Sequence, residues 1–286
     1  MKINAICVVK NEADIIEETL LNAMKYCHRI YIFDNGSDDG TWEIMCSMAS
    51  RFKEIEIAFR SDEPFTNQLR NRIYNQYNHL YSKEDWWYIL DGDEMLSESP
   101  APLLMRASKA AKTCVKSWFA QFYYTDKDLS DSAIEDDSQP IALRRKHYRI
   151  NWKEWRFFKN DPTQKWPENT SARVPPFSNK VFKESTIIRH YAHRTIEQLE
   201  RRNKIRLGNP ENFVHVTSKE HLKTWIKSSK DLFVYNNDNE YQLPLKDVVS
   251  YYLKEVKFWI TWRFQNIKTV MSRGYAMLHC GKKALL

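Results

Sequence analysis

Apolar runs and amphipathic stretches alternate along the first hundred residues of this 286-residue chain. Short apolar runs predict β-strands at 3–9, 29–34, 55–59 and 86–90. Between them, residues 12–27, 41–50 and 67–81 carry apolar positions at helical spacing. The expected inward faces are Ile15, Ile16, Thr19, Leu20, Ala23, Met24 and Cys27 in the first helix, and Leu69, Ile73, Tyr77 and Leu80 in the third. Because the strands are apolar almost throughout, we predict an α/β fold with a mainly parallel central sheet covered on both faces.

The pattern changes after residue 100. A longer strand is predicted at 115–124, an acidic loop at 127–139, further strands at 154–159 and 185–191, and a charged helix at 195–208. A last helical pattern, at 249–271, has an apolar stripe of Val249, Leu253, Val256, Ile260, Ile267 and Met271. We therefore expect one α/β domain over residues 1–215, with halves at 1–125 and 126–215, followed by a largely helical C-terminal extension at 216–286.

Composition narrows the class of protein. Apolar residues make up 42% and charged residues 28% of the chain, which is typical of a globular protein. A net charge of +7 suits phosphate-bearing ligands or an anionic membrane surface without requiring nucleic acid. The five cysteines are widely spaced and include no C-x-x-C, which argues against a disulfide framework or a zinc site. With no signal-peptide pattern and no apolar run of about 20 residues, a cytoplasmic location is expected.

Three polar clusters follow predicted strands, at 10–12, 34–39 and 91–94. In a parallel sheet the carboxyl ends of the strands form the ligand-binding edge. Asp91 and Asp93 flank Gly92, so two carboxylates on one turn are able to converge on Mg²⁺ or Mn²⁺. Each cluster alone also has a local explanation, such as a helix N-cap at Asn11 or a turn at 34–36. Their joint order favours a ligand site.

The segments VVKNEADIIEETL, IFDNGSDDGT and ILDGDEML together resemble the GT-A-fold glycosyltransferases, in particular those of family 2. The resemblance covers residues 3–125, and it implies a Rossmann-like domain that binds a nucleotide sugar, with Mn²⁺ or Mg²⁺ on the D-x-D motif. The nucleotide-sugar-binding residues that it implies are Val9, Lys10, Asn11, Glu12, Asp34, Asn35, Ser37, Asp39, Arg70, Asn71, Asp91 and Gly92. A local explanation for Arg70 is a solvated helix residue.

The resemblance also implies metal ligands and a catalytic base. The metal ligands would be Asp91, Asp93 and a later histidine, for which His190 is preferred to His193. The basic residues Arg189, Arg194, Arg201 and Lys204 would offset diphosphate charge. Inverting transfer needs a carboxylate that takes the proton of the acceptor hydroxyl. The His-Glu pair that some family members place near the acceptor is missing after Trp166, and Glu168 is the preferred candidate, ahead of Glu154 and Asp161.

The implied activity is transfer of a sugar, with inversion, from a nucleotide-diphosphate sugar to a glycan or lipid-linked acceptor. A UDP-sugar is the expected donor, and synthesis of bacterial surface polysaccharide or lipopolysaccharide is the expected setting. A haloacid dehalogenase-type phosphatase also places D-x-D after a strand, but after the first strand rather than the fourth. A non-catalytic sugar-nucleotide or glycan-binding protein is the third alternative. The last predicted helix also carries the aromatic residues Tyr251, Phe258 and Trp262. We expect them to contact the inner surface of the membrane, another subunit or the catalytic domain itself.

Overall fold

The computed structural model describes residues 1–130, 139–170, 172–207, 226–236 and 241–257. The chain divides into two compact units, Met1–Tyr241 and Gln242–Leu286. In the first unit the strands are β1 (Ile3–Val9), β2 (Arg29–Asp34), β3 (Ile55–Arg60), β4 (Trp86–Asp91), β5 (Glu94–Leu96), β6 (Cys114–Phe122), β7 (His147–Lys159), β8 (Val181–Phe182), β9 (Ile187–His190) and β10 (Phe233–Val234). Its α-helices are α1 (Ile16–Met24), α2 (Thr41–Arg51), α3 (Gln68–Tyr77), α4 (Ala101–Lys109), α5 (Asp126–Ser130), α6 (Ile141–Arg144) and α7 (Ile196–Leu207).

These strands form one sheet, in the order β3-β2-β1-β4-β7-β6-β9-β5, with β10 beside β7 and β8 beside β6. The pairs within β3-β2-β1-β4 are parallel, whereas β4–β7 and β7–β6 are antiparallel. The predicted parallel arrangement is therefore confirmed for the first four strands, and the sheet is mixed beyond β4. This mixed α/β architecture is consistent with a Rossmann-like nucleotide-binding fold.

Two apolar cores lie on opposite faces of the sheet. Along β1, Ile3 and Cys7 point into one core and Ile6 and Val8 into the other, because successive side chains of a strand face opposite ways. Helices α1, α2 and α4 cover the first core, and α3 covers the second. Burial on both faces explains why the strands are apolar almost throughout.

The structure corrects several predicted boundaries. Helix α1 begins at Ile16 instead of residue 12, because Asn11 has a left-handed backbone (φ 57°) and the chain turns before entering the helix. Helix α3 ends at Tyr77 and a 3₁₀ turn follows, which leaves Leu80 57% exposed; its predicted inward position is wrong. Part of the predicted loop at 127–139 is helical, within α5, and residues 131–138 lie outside the described residues. The strand predicted at 154–159 is the end of the longer β7.

In the second unit, residues 245–257 are helical. Leu253 and Val256 of the predicted apolar stripe are exposed in this segment. The rest of the pattern predicted at 249–271, including Phe258, Ile260, Trp262, Ile267 and Met271, lies outside the described residues. Within the described ranges, no helix has both the length and the apolar character needed to cross a membrane.

Candidate functional site

A cavity of about 430 Å³ lies where β1 and β4 end, at the edge of the sheet where ligands were expected. Its wall is formed by the ends of these strands, by the turn at 91–94 and by one face of β7. Carboxylates and arginines dominate the polar part of this wall. The sequence-predicted residues that line it are Val9, Lys10, Glu12, Asn35, Arg70, Asp91, Gly92, Asp93 and His190.

Asp91 is held by three arginines. Arg70 donates to Oδ1 at 2.7 Å, and both Arg156 (3.0 Å) and Arg173 (2.6 Å) donate to Oδ2. Burial alone would raise the pKa of Asp91, but Arg156, Arg173 and Arg70 together hold it well below its usual value. Asp91 is therefore a carboxylate whose two oxygens are already occupied by charge-assisted hydrogen bonds.

Asp93, two residues away, has a different environment. Its side chain is buried, and Oδ2 has no hydrogen-bond partner. Three groups face that oxygen from slightly farther away: His190 Nε2 at 3.5 Å, and Arg194 Nη1 and Arg202 Nη1 at 3.6 Å each. Burial would raise the pKa of Asp93, but His190, followed by Arg202 and Arg194, holds it below its usual value. Asp93 is thus ionised and still has a free acceptor.

Asp93, Glu94 and His190 form a candidate cation site. Each offers one ligand atom, and these atoms lie within 4.8 Å of one another. His190 Nδ1, like Asp93 Oδ2, is buried without a hydrogen-bond partner. Burial raises the pKa of Glu94 well above its usual value, although Arg156 opposes this. Two carboxylates and an imidazole form a donor set that fits Mn²⁺ or Mg²⁺. Asp91 is not part of this group among the described residues.

Strand pairing brings this group together. In the antiparallel pair of β5 and β9, Glu94 lies directly opposite His190. The backbone N–H of Tyr191 donates to the carbonyl of Asp93 at 2.9 Å, which continues the pairing into the turn. Residues almost a hundred positions apart therefore meet through ordinary sheet hydrogen bonds.

Gly92 allows the turn to press against β1. A Cβ at this position would lie 2.8 Å from Val9 Cγ2 and 3.2 Å from Glu12 Cγ, closer than side chains normally approach. The carbonyl of Gly92 also accepts a hydrogen bond from Thr19 Oγ1 at 2.9 Å. Glycine is required here by close packing, so that Asp91 and Asp93 are both held at the end of β1.

Several other predicted binding residues lie outside the cavity wall: Asn11, Asp34, Ser37, Asp39 and Asn71. Asp34 is fully buried and accepts from Ser37 N at 3.2 Å, with Arg60 Nε at 3.0 Å. Asn11 exchanges hydrogen bonds with Asp38, at 2.7 and 2.9 Å. These contacts tie the loop after β1 to the loop after β2.

Asp39 and Asn71 also have local partners in the fold. Asp39 accepts from the backbone of Thr41 at 3.1 Å, at the start of α2. Asn71 donates to the carbonyl of Pro167 at 2.7 Å. Both side chains therefore hold neighbouring segments in place beside the cavity.

The three candidate bases are separated by the fold. Glu168 is exposed and is not among the residues that line the cavity, and Asp161 is likewise outside it. Glu154, on β7, does line the cavity. The role of each stays a prediction.

Arg194 and Arg201, two of the basic residues predicted to face a diphosphate, do not line the cavity. Arg194 is fully buried and pairs with Asp14, at 2.7 Å, and with Glu12. Burial, opposed by Arg194, raises the pKa of Glu12 to about 7. Arg201 pairs with Asp39 at 2.9 Å. Its neighbour Arg202 is the one that lines the cavity.

Sequence reasoning did not single out Arg156, Arg173, Arg202, Trp152 or Phe119, all of which line the cavity. For β7 a pattern was available: Trp152, Glu154 and Arg156 alternate, as one face of a strand requires. Arg173 belongs to an irregular segment before β8, where no periodicity points to it. Its role depends on tertiary contacts.

Comparisons with known proteins identify no family. No family model and no curated protein matches the chain. Among solved structures, a Bacillus anthracis protein described as a glucose-1-phosphate thymidylyltransferase, in complex with a sucrose, matches with a TM-score of 0.30 and 10% identity; the match covers 42% of this chain and 55% of that one. A mannose-6-phosphate isomerase from Helicobacter pylori matches with a TM-score of 0.31 and 11% identity over 56% of this chain and 71% of that one. Scores this low establish neither a shared fold nor a shared activity.

Proposed function

We propose that this protein is a GT-A-type glycosyltransferase that transfers a sugar from a nucleotide-diphosphate sugar to a hydroxyl of a glycan or lipid-linked acceptor. One observation carries the proposal: a cavity at the carboxyl ends of parallel strands is lined both by arginines and by Asp93, an ionised carboxylate beside His190 whose Oδ2 accepts no hydrogen bond. A carboxylate–imidazole group suits a divalent cation, and arginines suit phosphate oxygens. A metal-bound diphosphate is a ligand class that requires both.

The residues that would hold Mn²⁺ or Mg²⁺ are Asp93, Glu94 and His190. A divalent cation bound there supplies positive charge that offsets the diphosphate and makes it a better leaving group. Arg202 and Lys10, both half-buried on the cavity wall, contribute further positive charge. Asn35, at the end of β2, is in the part of the wall expected to receive the nucleoside.

Three further parts of the proposal rest on the family resemblance. They are inversion at the anomeric carbon, a UDP-sugar as donor, and a setting in surface polysaccharide or lipopolysaccharide synthesis at the cytoplasmic face of the membrane. The phosphatase alternative requires an aspartate as nucleophile. Arginines hold both oxygens of Asp91, and these contacts argue against Asp91 as the nucleophile of a phosphatase. A non-catalytic binding protein would share the cavity, and turnover separates it from an enzyme.

The test is calorimetric titration of UDP, GDP and CDP into the wild type and into Asp93→Ala, each with Mn²⁺ and with a chelator. We expect one nucleotide to bind in a metal-dependent way and Asp93→Ala to weaken that binding by at least about tenfold. Glu184→Ala is the matched control, because this carboxylate pairs with Arg106 on the surface, outside the cavity. Absence of binding for all three nucleotides, with and without metal, would contradict the proposal.

A further inference from the structure

The strand β7 presents two chemically different faces. Trp152, Glu154 and Arg156 point to the cavity, whereas Trp155 packs against the apolar core that α3 covers. This follows from the alternation of side chains along a strand. The cavity face therefore carries, in order, an aromatic ring, a carboxylate and a guanidinium.

Trp152 is a fixed aromatic surface beside the candidate cation site. Its ring stacks on Phe119, with ring centres 5.4 Å apart and an angle of 8° between the planes. The edge of the His190 ring approaches it at 6.2 Å. Because Phe119 is buried, it holds Trp152 in place, and the half-buried indole forms part of the cavity wall. A pyranose ring has faces of C–H groups that pack well on such a flat apolar surface.

Glu154 is a half-buried carboxylate of the cavity that takes no part in the cation group. Its side chain is 34% exposed and accepts contacts from Arg173 Nη1 at 3.1 Å and Arg156 Nη2 at 3.3 Å. These two guanidinium groups fix the direction of the Glu154 carboxylate. The other described carboxylates of the cavity are less exposed than Glu154. Asp91 is held by three arginines, Glu12 by Arg194 and Glu94 by Arg156, and Asp93 and Glu94 belong to the candidate cation site.

Resting on the proposed function, we infer that this face of β7 is the acceptor subsite: Trp152 stacks on a pyranose ring of the acceptor, and Glu154 is the catalytic base. The O–H bond of the acceptor breaks and its proton passes to the Glu154 carboxylate. The acceptor oxygen bonds to the anomeric carbon while the bond from that carbon to the diphosphate oxygen breaks. Its electron pair leaves with the nucleoside diphosphate, and Glu154 later releases the proton to water.

The test uses the 286-residue chain and five variants: Glu154→Gln, Glu154→Asp, Glu168→Gln, Trp152→Ala and Trp155→Ala. The donors are UDP-glucose, UDP-galactose and UDP-N-acetylglucosamine with Mn²⁺, and the acceptors are the methyl β-pyranosides of the same three sugars. Release of UDP measures turnover, and calorimetry measures binding of UDP. Thermal unfolding confirms that each variant is folded.

We expect Glu154→Gln to lower kcat by about 10²–10⁴-fold while the affinity for UDP stays unchanged, since general-base catalysis is typically of this size. Glu154→Asp should recover part of the rate. Glu168→Gln should behave as the wild type. Trp152→Ala should raise KM for the pyranoside by about tenfold, as the loss of an aromatic contact of about 1.4 kcal/mol would do. Trp155→Ala, on the opposite face of the same strand, should leave KM unchanged.

Two results would overturn the inference while leaving the proposed function intact. The first is normal turnover by Glu154→Gln in a protein that binds UDP and releases it from a donor, above all if Glu168→Gln is inactive. The second is an equal effect of Trp152→Ala and Trp155→Ala on KM. If the wild type binds no nucleotide, the proposed function itself is contradicted, and so is the acceptor subsite that rests on it.

Discussion

Asp91 and Asp93 are separated by one glycine, yet the two sides of this turn have opposite roles in the structure. On the Asp91 side, three arginines occupy both carboxylate oxygens. On the Asp93 side, three cationic or imidazole groups stop 3.5–3.6 Å from an oxygen that has no hydrogen-bond partner. The same residue type at two positions of one turn is therefore fully hydrogen-bonded in one case and keeps an oxygen without a hydrogen-bond partner in the other.

The origin of the partners explains the difference. Arg156 and Arg173 come from β7 and from the segment that follows it, and they reach the cavity from the antiparallel part of the sheet. His190 comes from β9 and Arg202 from α7. The parallel strands thus supply the carboxylates at their ends, and later elements supply most of the positive charge. A D-x-D motif alone does not say which of its two aspartates will be neutralised within the protein.

The largest effect is expected from Asp91→Asn. This change leaves three arginines, two of them almost fully buried, without their shared negative charge, and breaking a buried pair costs about 3–5 kcal/mol of unfolding free energy. Urea unfolding measures it. Asp93→Asn is the matched comparison and should cost less than Asp91→Asn, because the groups that face Asp93 Oδ2 lie 3.5–3.6 Å away and no hydrogen bond to this oxygen is lost. Equal costs for the two variants would remove the distinction between the two sides.

The next effect is a pH dependence at Glu12. Burial, opposed by Arg194, raises the pKa of this carboxyl to about 7, against about 4.3 in the unfolded chain. Between these values the folded state keeps a proton that the unfolded state has released. The stabilisation is therefore complete below about pH 4.3 and is lost as the pH rises through 7. It amounts to about 4 kcal/mol from end to end.

Glu12→Gln carries no proton to release, so its unfolding free energy should rise relative to the wild type as the pH increases over this window. Urea unfolding in chelator at several pH values measures the difference, and the raised pKa of Glu94 cancels because both proteins share it. Parallel stability curves for the two proteins would show that Glu12 titrates normally.

Much of the parallel part of the fold could be predicted from the sequence, for a physical reason. The strands β1, β2 and β4 are buried on both faces, so each is a nearly continuous apolar run, and the helices between the strands need a period of 3.6 residues. Leu80 was misplaced because a 3₁₀ turn changes the phase of the pattern after Tyr77. In β7 one face meets polar groups of the cavity, and only the stretch 154–159 was recognised as a strand.

The candidate site could be predicted only in part. Asp91, Asp93 and Glu12 follow strands directly, so position along the chain points to them. His190 was named from the resemblance, and the pairing of β5 with β9 brings it beside Asp93. Arg156 and Arg173 contact Asp91 across 65 and 82 residues of sequence. The alternation along β7 places Arg156 on one face of the strand without pairing it with Asp91, and no periodicity points to Arg173.

Gly92→Ala should lower the unfolding free energy by less than the Asp91 and Glu12 effects, and it should displace both Asp91 and Asp93. The added Cβ would lie 2.8 Å from Val9 Cγ2, so the turn or β1 must shift. Overpacking of this kind costs about 1–3 kcal/mol. We also expect weaker Mn²⁺-dependent nucleotide binding, since Asp93 moves with the turn. Urea unfolding and calorimetry on the same sample measure the two effects, and unchanged stability together with unchanged binding would show that the turn has room for a methyl group.

The smallest effect on stability is expected from Arg202→Ala. Arg202 is half-buried, lies 3.6 Å from Asp93 Oδ2 and lines the cavity, so its loss should change the unfolding free energy by less than about 1 kcal/mol. Nucleotide affinity in Mn²⁺ should fall by about three- to tenfold, because one cation facing the diphosphate is removed. Arg201→Ala is the matched control: the neighbouring arginine pairs with Asp39 outside the cavity, and its loss should leave affinity unchanged. If both variants weaken binding equally, the effect comes from the net charge of α7, and the Asp93 side of the turn would not be the place where the ligand is held.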